Sequence, residues 1–373
     1  MKKKITFVLN VKFPTEKAYG VTTSLTADAI QKLKKFDVEI ITPILDRDIV
    51  TNNSVIEIRI PFEKIYRLLL NTNLLKALAF RAWIPLYFLK LKIVIRKENN
   101  LIWVRDIFLA LIFNSFGYTT VCEIHRKPTK INMILFKILS NKKDNIFLFI
   151  TEKLRRMCKT STLISEIAPM SVKKSEILIK KYKESSEAKI VGYVGSNHSS
   201  GVKLNLEALV QAANLLKDNH NYIKFRLYGV DASFFSQKFP TNIEFPGRVS
   251  RSKIMQTIDT FDVGIVLYPN SKYYEDSFPI KIVEYAARQI PIIASRTIAH
   301  QSLLGVDKVE YFEPDSGQSL SNAILRVLKN DFLAHKMSLN SHNWVKNLTY
   351  ERRIQKVLFR CGYLTSKEFN GSD

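Results

Sequence analysis

Short, nearly continuous apolar runs alternate with amphipathic stretches along the whole chain. Ile5–Leu9, Val38–Thr42, Leu101–Val104, Thr120–Ile124 and Ile146–Ile150 have the composition of strands buried on both faces. Thr22–Leu33 carries apolar positions at helical spacing, and helical periodicity fills the other gaps. The pattern restarts after a polar, Lys-rich stretch from Lys173 to Lys189. Ile190–Val194, Phe225–Tyr228, Ile243–Phe245, Val263–Leu267 and Pro291–Ala294 predict strands, and Leu204–Leu216, Ile280–Arg288 and Leu320–Leu328 predict helices. Strand and helix in strict alternation argue for parallel α/β units. The expected fold class is therefore α/β, with two Rossmann-like domains in tandem. Residues 1–170 and 171–349 are the expected halves, with a linker near Pro169–Val172.

Length agrees with this division, since 373 residues exceed one ordinary core. The three cysteines, Cys122, Cys158 and Cys361, show neither a disulfide framework nor zinc-ligand spacing, which suits a reducing compartment. Met1–Lys4 is basic, but the apolar run after it is a short strand and not the core of a secretory signal. No charge-free apolar run approaches the ~18 residues of a membrane span. The net charge of +23 favours polyanionic partners or, equally, a basic bias spread over the surface. From Arg59 to Lys97 nine basic residues accompany a single acid, Glu63, among Leu68–Leu70, Leu74, Leu75, Leu78, Phe80 and Trp83. That mixture suits a helix lying on an anionic membrane surface, and it also suits a buried helix with a basic outer face.

The densest cluster of candidate chemistry lies in KYYEDSFPIKIVEYAARQIPIIAS, residues 272–295. Ser277 reads as an N-cap and Pro279 as a first-turn residue, so a helix is expected to start at the carboxyl end of a parallel strand. Such a start offers free N–H groups and the positive end of a dipole to an anion. Lys281 adds a charge, Asp276 stands in the preceding loop, and Glu284 is placed about two turns into the helix, where it can accept from a vicinal diol. Taken by itself this spacing is also that of an ordinary helix start with an unrelated surface Glu. No G-x-G-x-x-G follows either first strand, so the dinucleotide fingerprint is missing.

The same stretch resembles glycosyltransferase family 4, the retaining GT-B enzymes of group 1, whose E-x7-E motif occupies this setting. Asp276 and Glu284 stand at the two motif positions, and SFPIKIVEYAARQIPIIAS is similar to the common SPLKIFEYMAxGxPVIAS. Further similarities follow in order along nearly the whole chain: NVKFPTEKAYGVTTSLTADAI, VRDIFLALIF, VCEIHRKP, FITEKLRRMC, VGYVGS with LNLEALVQAANLL, IEFPGRVSRSKI and LTYERRIQKVL. Each piece is weak; their fixed order is the signal.

The resemblance implies two Rossmann-like domains facing across a cleft, the N-terminal one for the acceptor and the C-terminal one for a nucleotide-sugar. It implies that the C-terminal helix, about 350–365, packs back on the first domain. It implies a hexosyltransferase-type reaction with retention, with no cofactor and no essential metal. Catalytic candidates are Asp276, toward the transferred sugar, and His125, in the cleft. Donor-binding candidates are Gly195, Ser196, Lys203, Arg248, Glu275, Asp276, Ser277, Phe278, Pro279, Ile280, Lys281 and Glu284, with Glu284 on the ribose. Acceptor-side candidates are Lys17, Tyr19, Gly20, Arg105 and Asp106, with Gly20 allowing close backbone approach. The implied partners are a nucleotide-sugar donor, a glycan or lipid-linked acceptor, and an anionic membrane surface on the cytoplasmic side. The implied setting is bacterial surface polysaccharide or lipopolysaccharide synthesis.

Three departures stand against the family pattern. The first motif acid is an Asp, with Glu275 beside it. Ser196 occupies the place of a phosphate-clamping Arg, so Lys203, Arg248 or Lys281 must supply the charge. The linker reads APMSV, without the usual glycine. A degenerate module that binds a glycan or partner without turnover, and an epimerase or hydrolase of the same architecture, therefore remain open. A nucleic-acid partner rests on net charge alone, with no motif, and is not expected.

Overall fold

The computed structural model describes residues 2–46, 48, 51, 53–58, 73–98, 100–159, 165–179, 187–196, 198–199, 202–204, 206–234, 239–269, 271 and 274–370, apart from the side chains of 73–82, 198–199, 202–203, 234 and 370. The chain forms two units, Met1–Pro169 with Tyr350–Asp373, and Met170–Thr349.

Unit 1 is built on seven strands: β1 (Lys3–Val8), β2 (Phe36–Thr42), β3 (Val55–Glu57), β4 (Asn100–Val104), β5 (Thr119–Ile124), β6 (Asn145–Phe149) and β7 (Ser165–Ile167). All pair in parallel, in the order β3-β2-β1-β4-β5-β6-β7, with Ile5 opposite Val38 on one side and Leu101 on the other. Every residue of β4 and β6 is buried, as both faces are covered by helices. Those helices are α1 (Ala18–Lys32), α2 (Asn73–Val94), α3 (Ile107–Ser115), α4 (Lys130–Ser140) and α5 (Glu152–Cys158). α3 packs against both α2 and α4, so the three lie side by side. Among the described residues no helix is long and apolar enough to cross a membrane.

Unit 2 repeats the winding. Its strands are β8 (Lys189–Val194), the short pair β9 (His198–Ser199) and β10 (Val202–Lys203), β11 (Ile223–Tyr228), β12 (Ile243–Gly247), β13 (Val263–Val266), β14 (Ile292–Ser295) and β15 (Glu310–Phe312). The six-stranded sheet runs β12-β11-β8-β13-β14-β15, all parallel, and β9-β10 is a separate antiparallel pair. Its helices are α6 (Glu207–Leu216), α7 (Ile254–Ile258), α8 (Ile280–Ala287), α9 (Ile298–Leu304), α10 (Gly317–Lys329) and α11 (Asp331–Val345). The chain then returns to unit 1 as α12 (Tyr350–Arg360) and α13 (Ser366–Asn370). Tyr350, Ile354, Val357 and Leu358 form one buried stripe on α12 and join the core containing Ile5, Ile30 and Leu101.

Several elements differ from the sequence expectation. Helix α1 begins at Ala18, four residues before the expected Thr22, although its first turn holds Gly20 and leads into β-branched residues. β3, β7 and β15 have three residues each, too few for a periodicity to register. Segment 59–72, the start of the expected surface helix, lies outside the described residues, as do the side chains of Leu74, Leu75, Leu78 and Phe80.

In unit 2 the spacing of helix and sheet depends on two glycines. Gly192 of β8 and Gly264 of β13 are register partners. A Cβ on Gly192 would lie 2.2 Å from the Phe261 ring, and one on Gly264 would lie 2.6 Å from Cδ2 of Tyr285 on α8. Tyr285 can therefore lie against the strand, where its hydroxyl accepts the Val194 N–H at 3.2 Å. Gly264→Ala is expected to cost about 1–3 kcal/mol through overpacking. Urea unfolding of Gly264→Ala, Tyr285→Ala and the double variant tests the cause: the double should lose less than the sum of the singles, and strict additivity would contradict the packing account.

Candidate functional site

In an open parallel sheet, ligands are received beyond the carboxyl ends of the strands where the winding reverses. In unit 2 this place lies between β8 and β13. Gly195 follows β8, and a Cβ there would stand 2.6 Å from Cε and 2.7 Å from Nζ of Lys281. Lys281 thus lies across the end of β8, its ammonium 5.0 Å from the centre of the Tyr193 ring. Burial lowers the amine pKa to about 8, against the opposing pull of Glu284. Ser196 is exposed, its carbonyl accepting the Tyr193 hydroxyl at 3.0 Å. Of the other two cations expected here, Arg248 is exposed after β12 and its charge acts on Asp231, while the Lys203 side chain lies outside the described residues.

Helix α8 does not start where the N-cap expectation put it. Ser277 gives its N–H to the Tyr274 carbonyl at 3.0 Å, and the cap position belongs to Pro279, in extended conformation and without a side-chain cap. The physical reason is the proline: it disfavours helical geometry at Phe278 and has no N–H of its own. Ile280 is the first helical residue, and the cap residue Pro279 makes no side-chain cap. Glu284 consequently lies one turn into the helix, not two. It is buried, and its Oε1 pairs with Nη1 of Arg251. Nη2 of Arg251 lies 3.8 Å from Glu176 Oε1.

Glu275, Asp276 and Ser277 are half-buried in and after the turn Tyr274–Asp276. Phe278 faces inward instead, parallel to Trp344 of α11, so only its backbone is left to meet a ligand. A ladder of rings supports the turn. Tyr274 stacks on Tyr268 at 4.5 Å, and Tyr268 stacks on His300 at 5.4 Å. His300 is fully buried, with Nδ1 2.7 Å from the Ser295 carbonyl, and burial lowers its pKa to about 4. Sequence reasoning missed Arg251, Tyr268 and His300; nothing in their local context separates them from ordinary surface or core positions.

In unit 1 the winding reverses between β1 and β4. Here the central residue is one the sequence reading passed over, Glu123, a lone acid inside the apolar run of β5. It is buried, with Oε1 2.8 Å from Arg353 Nη2 and Oε2 3.0 Å from Arg105 Nε and 2.9 Å from His125 Nε2. Arg105 also reaches the Thr22 hydroxyl at 2.6 Å and the Tyr19 carbonyl at 3.3 Å. Arg353, on α12, donates to Thr26 at 3.1 Å. The carboxylate partner favours the His125 tautomer with hydrogen on Nε2, leaving Nδ1 as the acceptor. Burial, assisted by Arg105, brings the His125 pKa down to about 4, so the ring is neutral at pH 7.

The acceptor-side candidates mostly have duties within unit 1. Arg105 is an internal ion pair, and Asp106 caps α3 by accepting the Leu109 N–H at 2.8 Å. The Tyr19 hydroxyl donates to the Lys12 carbonyl at 3.1 Å. Gly20 does admit a close approach, but by the chain itself: a Cβ there would stand 2.4 Å from Cγ2 of Thr15. Lys17 is exposed at the N-cap of α1, which no side chain caps. Among the described residues no group of three side chains is arranged to hold a metal ion.

Burial tends to raise the Glu123 pKa, but Arg353, Arg105 and His125 together hold it well below the ordinary value of 4.5. A carboxyl depressed in the folded state stabilises it fully above the unfolded pKa, and that stability is lost as pH falls toward the folded one. Glu123→Gln should therefore cost about 3–5 kcal/mol near neutrality, by leaving two arginines poorly compensated. It should also flatten the stability–pH curve below pH 4.5. Denaturant unfolding across pH 3–7 measures both; an unchanged acid limb would refute the assignment.

Residues 188–330 match the family model described as Glycosyl transferases group 1. No curated protein matches the chain by sequence. Among solved structures, sucrose-phosphate synthase from Thermosynechococcus elongatus is similar with a TM-score of 0.68 at 16% identity, over 96% of this chain and 98% of that one. HepE from Anabaena, solved with UDP and glucose, gives 0.68 at 11% identity over 97% and 100%. WaaG, a glycosyltransferase involved in lipopolysaccharide biosynthesis, gives 0.64 at 10% identity over 95% and 99%. At such identities the likeness carries the fold alone, and the family model speaks for residues 188–330. Residues 188–330 thus match the group 1 glycosyl transferase model, and the chain as a whole has the two-unit, GT-B fold of these solved structures.

Proposed function

We propose that the chain moves a sugar from a nucleotide-sugar to a glycan or lipid-linked acceptor, with retention at the anomeric carbon. We place it in the synthesis of a bacterial surface polysaccharide or lipopolysaccharide, peripheral on the cytoplasmic face of the membrane. The observation that carries the donor reading is Lys281 lying across the end of β8 at the start of α8, where the cap residue is Pro279. A cation and the first-turn N–H groups of a helix at that place suit a diphosphate. HepE, of the same fold, was solved with UDP and glucose, and WaaG acts in lipopolysaccharide biosynthesis. Both support the choice of donor class and setting.

In this reading the departing diphosphate is stabilised by Lys281 and the N–H groups of the first turn of α8. The contribution is electrostatic and needs no covalent intermediate on the protein. Glu284 accepts from the ribose diol with the oxygen that Arg251 does not use. Asp276 orients hydroxyls of the transferred sugar. Neutral His125 presents Nδ1 as an acceptor and does not contribute a positive charge. A binding module without turnover is the second reading, favoured by one observation: the Glu284 carboxylate already has a partner in Arg251.

Calorimetry with UDP-, GDP-, ADP- and dTDP-sugars tests the donor site. One nucleotide class should bind, and Lys281→Met should weaken it by roughly 10- to 100-fold, the worth of a charge-assisted hydrogen bond. Lys281→Arg should retain part of the affinity. Since the free amine titrates near pH 8, binding should weaken as pH rises past about 8. No binding by the wild type would refute the donor reading. Binding without transfer to any acceptor would favour the module.

A further inference from the structure

Helix α4 turns an apolar ridge outward. Ile131, Ile134 and Ile138 recur at i, i+3 and i+7 and are 50%, 60% and 46% exposed. The opposite side of the helix is anchored in the core, where the Phe136 ring centre lies 4.4 Å from that of Phe147. The ridge is therefore left over after α4 has satisfied its own sheet. Lys130 and Lys137 flank it, both exposed and in no ion pair among the described residues. Apolar exposure continues on α2 at Leu89 (58%) and Ile93 (86%). Between α2 and α4 lies α3, whose sequence IFLALIFNS contains no charged residue.

An apolar ridge with unpaired cations at its margin has two complements in one partner: acyl chains for the isoleucines and phosphates for the lysines. A second copy of the chain fits poorly, because a two-fold contact through this ridge would set its lysines against their own counterparts. We infer that the α2–α3–α4 face of unit 1 docks on an anionic bilayer surface, with the Ile131–Ile134–Ile138 ridge entering the headgroup–acyl boundary. This rests on the peripheral-membrane reading above and carries its contact surface beyond the segment that the sequence singled out, from α2 to α4.

Cosedimentation of the full chain with vesicles of phosphatidylcholine alone, or mixed with phosphatidylglycerol, tests the inference. The wild type should bind the mixed vesicles, and less so at high salt. The triple variant Ile131→Ser, Ile134→Ser, Ile138→Ser should bind at least tenfold more weakly. Lys130→Gln with Lys137→Gln should lose roughly tenfold on the mixed vesicles and much of the salt dependence. All of these positions are exposed, so circular dichroism should be unchanged. If the triple variant binds as the wild type does while Leu89→Ser with Ile93→Ser does not, the membrane reading stands and the α4 assignment falls. A wild type that binds neither vesicle overturns both. A wild-type dimer that the triple variant abolishes would assign the ridge to a second copy and overturn the inference.

Discussion

A parallel sheet wound in both directions must reverse once, and both units of this chain depend on that reversal. The helices before and after it lie on opposite faces, so the strand ends between them are not covered by either crossover. Everything with a claim to chemistry is collected there: Gly195, Lys281 and Glu284 beyond β8 and β13, and Arg105, Glu123 and His125 around β1, β4 and β5. The strands supply no chemistry except Glu123. Their contribution is to be apolar on both faces, which requires helices on both faces, which in turn requires the reversal.

At each of these places the protein buries a carboxylate and neutralises it with arginine from a distant part of the chain. Glu123 takes Arg105 and Arg353; Glu284 takes Arg251. An unpaired buried charge would be intolerable, so these arginines act first as counterions. Their effect spreads to the neighbouring groups. His125 is kept neutral by burial and by Arg105, and Lys281 holds its proton less firmly than an exposed lysine because it is desolvated. Burial does most of this, and the charged partners adjust it.

The alternation of apolar runs and amphipathic stretches was enough to read the α/β class, because strands covered on both faces have a composition that helices and loops do not share. The reach of local pattern ended where partners are far apart or elements are short. Glu123 was visible as an oddity, a charge within VCEI, but nothing local could join it to Arg353. Ser277 was misjudged as a cap because side-chain preference was weighed without the restriction that Pro279 places on the residue before it. Sequence alone did not separate Lys203, Arg248 and Lys281: only when Gly195 is seen beneath Lys281 does its missing side chain become space for an amine. Arg251 and His300 gave no signal, since their importance lies wholly in what packs against them.

The return of α12 to unit 1 bears on how the chain is made. The first 169 residues leave the ribosome well before Tyr350 does, and synthesis proceeds at ~5–20 residues per second. Until Tyr350 and the residues after it emerge, Arg353 cannot pair with Glu123, and Tyr350, Ile354, Val357 and Leu358 cannot cover their part of the first core. Unit 2 is contiguous, Met170–Thr349, and can complete its own core in the meantime. Unit 1 can thus be completed only after unit 2 has been synthesised, although its first 169 residues are made first.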